Sequence, residues 1–272
     1  MTDNPATPGS QLPPELNSNV PHSARVWNYW LGGKDNFPVD RLVGDQVLEA
    51  FPSIVDVARA SRAFLVRAVR HLAGEAGVRQ FLDIGTGLPT ADNTHQVAQR
   101  VAPESRVLYV DNDPIVLAHA RALLTGSGEG ATSYLDADLR DPDKILEAAA
   151  ETLAFDRPVA LMLMGIMGHI GDDDEARSIV RRLLDALPSG SYLALCDGTD
   201  TNPAGVAAQA QYNESGAIPY RLRSPEQIAG FFEGLELVEP GVVSLPRWRP
   251  DPADAGGGPT EVDAFGGVGR KG

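Results

Sequence analysis

Three carboxylates in this 272-residue chain stand where short apolar runs end: Asp83 after Phe81-Leu82, Asp111 after Leu108-Tyr109-Val110, and Asp138 just past Tyr134-Leu135. If the runs are successive parallel strands, the acids converge on one crevice. Open α/β sheets bind ligands outside the carboxyl ends of their strands, at the point where strand order reverses. In Asp83-Ile84-Gly85-Thr86-Gly87-Leu88-Pro89 two glycines stand where the backbone must turn sharply and approach a ligand with no Cβ in the way. Gly85, Thr86 and Gly87 are therefore expected to bracket a polar chain, and Asp83 reads either as a ligand or as a brace of the turn. Asp111, in Tyr109-Val110-Asp111-Asn112-Asp113-Pro114, lies 24 residues beyond Gly87. A doubly wound fold needs an acceptor for both ribose hydroxyls there, with Asn112 beside it. Asp138 is placed to accept from an exocyclic amine, with Leu139 against the ring, which suits adenine. Asp113 and Asp136 read as solvated neighbours.

Two nucleoside cofactors fit such a crevice. Dinucleotide turns carry G-x-G-x-x-G so that the helix closes on a pyrophosphate, but here Gly85 and Gly87 are followed by Thr90. The pattern leans away from NAD and toward a purine nucleoside without a second nucleotide.

The elements that must position these residues follow from periodicity. Val57, Ala60, Phe64, Ala68 and Leu72 recur at helical spacing ahead of Gly74 and Gly77. Strand-like runs at Gln80 to Ile84, Arg106 to Val110, Ser133 to Leu135, Val159 to Met164 and Ser191 to Leu195 then alternate with helical ones. The helical runs are Thr94 to Val101, Pro114 to Leu124, Pro142 to Leu153 and Asp174 to Leu187. That alternation implies a parallel sheet with right-handed crossovers, covered on both faces. The unbroken apolar run ending at Met164 suits a central strand and brings Met164 to the same edge as the acids. Further helices are expected at Ala204 to Tyr212 and Pro225 to Phe232. Two closing strands, Leu235 to Leu245 and Ala264 to Arg270, would flank the loop Pro250 to Pro259. Residues 1–20, poor in large apolar side chains, are expected to be a disordered tail. Residues 21–272 then form the domain, with a helical cap at about 21–75.

Composition narrows the partners. A net charge of −14 disfavours wrapping a polyphosphate backbone, so nucleic acid is not the expected substrate. The single cysteine, Cys196, excludes an internal disulfide framework and leaves too few thiols for a structural zinc site. The amino terminus lacks the regions of a signal peptide, and the longest apolar run is too short to span a bilayer. A cytoplasmic protein acting on a small molecule, with no membrane partner and no metal, is the expectation.

Longer motifs carry a family resemblance. These are Leu31-Gly32-Gly33-Lys34-Asp35-Asn36-Phe37, Gln80 through Thr90, Tyr109 through Pro114, Asp138-Leu139-Arg140-Asp141-Pro142, Pro240-Gly241-Val242-Val243 and Trp248-Arg249-Pro250. With them the chain resembles the actinobacterial methyltransferases once grouped as domain of unknown function 574. The resemblance implies a class I, Rossmann-like α/β fold: a mostly parallel seven-stranded sheet with helices on both faces and an N-terminal helical extension. It also implies S-adenosylmethionine as cofactor. Where similar sequences carry His-His after the fourth strand and Ser-His after the fifth, this chain has Gly168-His169 and Cys196-Asp197. An imidazole is missing at each place. A binding protein without turnover is therefore a rival reading. The Leu31 to Phe37 segment reads either as surface cover or as a lid, with Arg25, Lys34 or Asn36 reaching the cofactor's carboxylate or the acceptor. His169 is the candidate general base, with Asp173 at the position of the acid in the His-x-x-x-Asp stretch of small-molecule O-methyltransferases. The competing reading makes it a neighbour of the helix entry at Asp172 to Asp174.

Overall fold

A computed structural model describes residues 18–123, 130–251 and 261–272. The expected tail falls mostly on residues 1–17, outside that range, and so does most of the loop Pro250 to Pro259. The chain begins with α1 (Ser23–Trp30), α2 (Pro38–Ala50) and α3 (Ile54–Gly74), the cap expected over 21–75. Then β1 (Gln80–Ile84), β2 (Arg106–Asp111), β3 (Thr132–Asp136), β4 (Ala160–Met164) and β5 (Tyr192–Gly198) alternate with α4 (Thr94–Val101), α5 (Pro114–Leu123), α6 (Pro142–Thr152) and α7 (Asp173–Asp185). After β5 come α8 (Pro203–Asn213), α9 (Pro225–Ala229), the two-residue strands β6 (Glu236–Leu237) and β7 (Val243–Ser244), and β8 (Ala264–Arg270).

The sheet order is β3-β2-β1-β4-β5-β8-β6, with β7 also on β8. Strands β1 to β5 are parallel, and β8 runs antiparallel to β5. Winding reverses between β1 and β4, so their carboxyl ends open the crevice. Among the described residues eight strands form where seven were expected. The stretch read as one closing strand splits because Pro240 has no N–H for a ladder and Gly241 turns at φ 86°.

Side chains alternate across the strands, and both faces are apolar. Phe81, Val107, Tyr109, Met162, Ala194 and Val268 pack under α3, α4 and α8. Leu82, Leu108, Leu161, Leu163 and Leu195 pack on α6 and α7. Both layers reach the carboxyl edge, so side chains there stand on a rigid base. Helix α2, with valine and leucine at helical spacing, lies inside the expected cap, although its bounds were not singled out. It packs between α1 and α8 and brings Val47 and Phe51 to the same edge.

Candidate active site

One cavity runs along the carboxyl edge, from the ends of β1 to β3 across β4 to β5, beneath α1, α2, α3 and α8. At its first wall, Gly85 (φ 75°) and Gly87 (φ 62°) adopt the left-handed conformation that glycine tolerates best. A Cβ on Gly85 would also lie 2.6 Å from Ile166. That turn is held from the neighbouring strand. The Gly87 N–H donates to Asp111 Oδ2 and the Asp113 N–H to Asp111 Oδ1, each at 2.9 Å. Each carboxylate oxygen has two acceptor sites, so one on each oxygen is left for a ligand, with the carboxylate locked in orientation. Burial raises the Asp111 pKa, and the two N–H bonds partly offset that.

Asp83 both braces and lines. Its Oδ2 accepts from Thr94 Oγ1 at 2.6 Å, tying the turn to α4, and the residue stands in the cavity wall. Burial pushes its carboxyl up to about 6, while Thr94 and the Arg62 guanidinium pull it back. Arg62, from the middle of α3, also lines the cavity. Its Nη2 donates to the Ala91 and Asp92 carbonyls at 3.3 and 3.1 Å. No sequence pattern singled it out. Asp138 is half-exposed, with Oδ1 accepting from the Arg140 N–H at 2.8 Å and Oδ2 from Asn112 Nδ2 at 3.4 Å. Thr86, Asn112, Leu139 and Met164 also line the cavity.

The N-terminal segment gives the cavity aromatic side chains together with the polar His22, Ser23 and Asn28. Trp27, Trp30 and Leu31 line it, whereas Arg25, Lys34 and Asn36 do not. The expectation that Asn36 reaches the cofactor meets a physical obstacle. Its Nδ2 donates to Asn28 Oδ1 at 2.9 Å and to the Gly33 carbonyl at 3.0 Å, while its Oδ1 accepts from Arg41 at 2.9 Å. Asn28 Oδ1 also takes the Asp35 N–H, and a Cβ on Gly33 would strike the Asn28 side chain at 2.3 Å. The motif builds the turn between α1 and α2.

His169 follows β4 on a single 3-10 turn and lines the cavity. Its Nδ1 lies 3.0 Å from the Pro219 carbonyl. A carbonyl oxygen only accepts, so in the neutral ring Nδ1 carries the hydrogen and Nε2 the lone pair. Burial holds the imidazole below its ordinary pKa. The expected His169–Asp173 couple does not form. Asp173 Oδ2 accepts from Arg221 and Gln227 and its Oδ1 from Arg223, at 2.8 to 3.0 Å. Asp172 caps α7.

The two positions that lack an imidazole meet at Tyr220. A Cβ on Gly168 would lie 2.3 Å from the Tyr220 ring, and the Tyr220 hydroxyl donates to Asp197 Oδ1. Its ring also stands edge-on to His169, 5.1 Å between centroids. The apolar run predicts the fifth strand only as far as Leu195, so Asp197 registers there as a place without an imidazole and not as a lining acid. Pairing with β8 extends β5 to Gly198.

The S-adenosyl methyltransferase family matches residues 9–272. The chain belongs to that family. It is similar to a DUF574 family protein of Streptomyces avermitilis MA-4680, with 49% identity, a TM-score of 0.89, and 94% of this chain and 99% of that one covered. It is also similar to a Thermobifida fusca YX protein provisionally described as a methyltransferase, with 43% identity, a TM-score of 0.86, and coverages of 95% and 98%. An O-methyltransferase family protein of Burkholderia thailandensis shares the fold at 17% identity and a TM-score of 0.51, with 82% of this chain and 61% of that one covered. No curated protein matches. The protein is thus an S-adenosylmethionine-dependent methyltransferase with the class I fold, and the NAD reading falls away. Among the described residues no helix is long and apolar enough to cross a membrane.

Proposed function

We propose that this methyltransferase methylates an oxygen or nitrogen of a small molecule of specialised metabolism, with its cofactor over β1 to β3 and its acceptor against β4 and β5. The carrying observation is one continuous cavity, which joins the acids at one end to His169 and an apolar wall at the other. Residues present fit the cofactor. Asp111 offers one acceptor site per oxygen to vicinal hydroxyls, Asp138 an acceptor to an amine, and Leu139 an apolar face. Arg62 and Asp83 line the same cavity with opposite charges, suited to the carboxylate and ammonium of an amino-acid tail. When bound, the cofactor supplies a methyl group on a sulfonium, already activated toward a nucleophile.

The chain's tasks are then alignment and proton removal. The wall formed by Trp27, Trp30 and Phe51 excludes water and admits an apolar body. His169, with Nδ1 held by Pro219, presents Nε2 as the base that takes the acceptor's proton. The acidic surface argues against a nucleic-acid substrate. An acceptor screen with mass-spectrometric detection of added methyl groups tests this reading. Methylated phenols or amines are expected; methylation of RNA alone, or of nothing while S-adenosylhomocysteine binds, would overturn it.

A further inference from the structure

Asn28, on α1, is 3% exposed and stands in the cavity wall. Its side-chain oxygen is spent. Oδ1 accepts the Asp35 N–H at 3.1 Å and Asn36 Nδ2 at 2.9 Å. A backbone N–H can only donate, so these bonds fix which end of the amide is oxygen and which is nitrogen. The nitrogen is left over. Among the described residues Asn28 Nδ2 donates to no group, yet packing does not enclose it, and the cavity is the space that Asn28 lines. A buried N–H without a partner forfeits its bonds to water. One that opens on a binding cavity is a donor held for a ligand.

The Leu31 to Phe37 motif keeps the amide in that pose. Asp35 and Asn36 supply the two donors, and Gly33 leaves the room, since a Cβ there would strike the Asn28 amide. Asn36 is itself held by the Gly33 carbonyl and by Arg41. The motif thus commits its polar groups to orienting one amide of the cavity wall.

The course of α1 decides which ligand group that amide meets. His22, which caps the helix, places Nδ1 2.9 Å from Asp113 Oδ2, beyond the end of β2. Ala24 comes next, its Cβ 4.0 Å from where a Cβ on Gly87 would stand, beyond the end of β1. The helix therefore passes from β2 over β1. Asn28 lies one turn past Ala24 on the same face, about 6 Å further on. That course leads away from Asp111, on β2, and α1 packs against α3, which carries Arg62.

We infer that Asn28 is a further cofactor-binding residue, whose Nδ2 donates to the carboxylate of the amino-acid tail from α1 while Arg62 meets it from α3. This rests on the cavity being the methyltransferase site. A neutral amide adds a bond to the carboxylate without setting a second cation beside the ammonium of the same tail.

The test is titration calorimetry on the full chain with three nucleosides. They are S-adenosylhomocysteine, its decarboxylated analogue 5′-(3-aminopropyl)thio-5′-deoxyadenosine, which keeps the ammonium, and 5′-methylthioadenosine, which lacks the tail. In Asn28→Asp one oxygen keeps the two bonds of the turn, which favour the ionised form, and the other turns a negative charge on the tail. S-adenosylhomocysteine should weaken about tenfold or more, while neither nucleoside without a carboxylate weakens beyond about threefold. Gly33→Ala, outside the cavity wall, should push the amide aside and give the same selective loss; if Asn28→Asp does not fold, it decides alone. Equal losses on all three nucleosides would make Asn28 only a brace of the turn, and no loss on any would leave Nδ2 away from the cofactor. Either result overturns the inference. Failure of the wild type to bind S-adenosylhomocysteine would instead overturn the reading of the cavity on which it rests.

Discussion

Replacing Asp111 by alanine should cripple cofactor binding while leaving the fold intact. The carboxylate lies on the crevice side of β2, with each oxygen committed once, to the N–H of Gly87 or of Asp113 at 2.9 Å. One acceptor site per oxygen remains, matched to two neighbouring ribose hydroxyls. Hydrogen bonds to a charged group contribute about 1.5–3 kcal/mol each, so losing both costs about 3–6 kcal/mol before any relaxation. Part of that is offset as water reaches the cavity, and a loss of about a hundredfold or more remains the expectation at 1.4 kcal/mol per factor of ten. Titration calorimetry with S-adenosylhomocysteine measures it. The same comparison with 5′-methylthioadenosine and its 2′,3′-dideoxy analogue isolates the cause, because only the first has hydroxyls to lose. A dissociation constant within about threefold of wild type, or equal losses on both analogues, would refute the reasoning.

Three further outcomes follow from the same wall. Arg62→Gln should weaken S-adenosylhomocysteine about ten- to a hundredfold yet spare 5′-methylthioadenosine, which lacks the amino-acid tail. Equal losses by calorimetry would remove Arg62 from the tail site. His169→Ala should lower turnover by about 10²–10⁴-fold with cofactor affinity unchanged, since Nε2 acts on the acceptor. Because burial lowers the His169 pKa, the acidic limb of the wild-type rate should fall below its ordinary value of 6.5. Activity within about fivefold of wild type rejects the base. Asp83, raised to about 6 from an ordinary 3.8, stays protonated in the folded protein across a window where the unfolded chain is ionised. Its ionisation therefore destabilises the fold as pH rises through that window. A cofactor ammonium should pull the proton off, so binding near pH 6 releases protons into the buffer. Calorimetry in buffers of different ionisation enthalpy should show the release in the wild type and not in Asp83→Asn; equal release in both excludes Asp83.

The half of the cavity proposed for the nucleoside was legible because its residues sit at punctuation. Acids and glycines at strand ends carry meaning in a parallel sheet, and Asp83, Gly85, Gly87, Asp111 and Asp138 all line the cavity. Of the amino-acid and acceptor half, only His169 and Met164 were legible. Arg62 is one of several arginines along α3, and only the packing of that helix against the edge distinguishes it. Asp197 was hidden inside β5, whose extra length comes from a strand that begins 66 residues later, at Ala264. His169 and Asp173 have the spacing of a couple, yet Arg221 and Arg223, from a distant loop, capture the acid. The Leu31 to Phe37 motif was visible but its direction was not. Its polar groups turn on one another around Asn28, while the aromatic side chains of α1 turn to the cavity. Apart from that local turn, each omission concerns a contact between elements far apart in sequence, which local periodicity does not encode.

The most direct test of the account is a crystal structure with S-adenosylhomocysteine bound. The ribose hydroxyls should lie about 3 Å from the two oxygens of Asp111. The tail carboxylate should face Arg62, and the thioether sulfur should point toward the side of the cavity that holds His169 and Asp197. A nucleoside seated over β4 and β5, with Asp111 and Arg62 untouched, would contradict it.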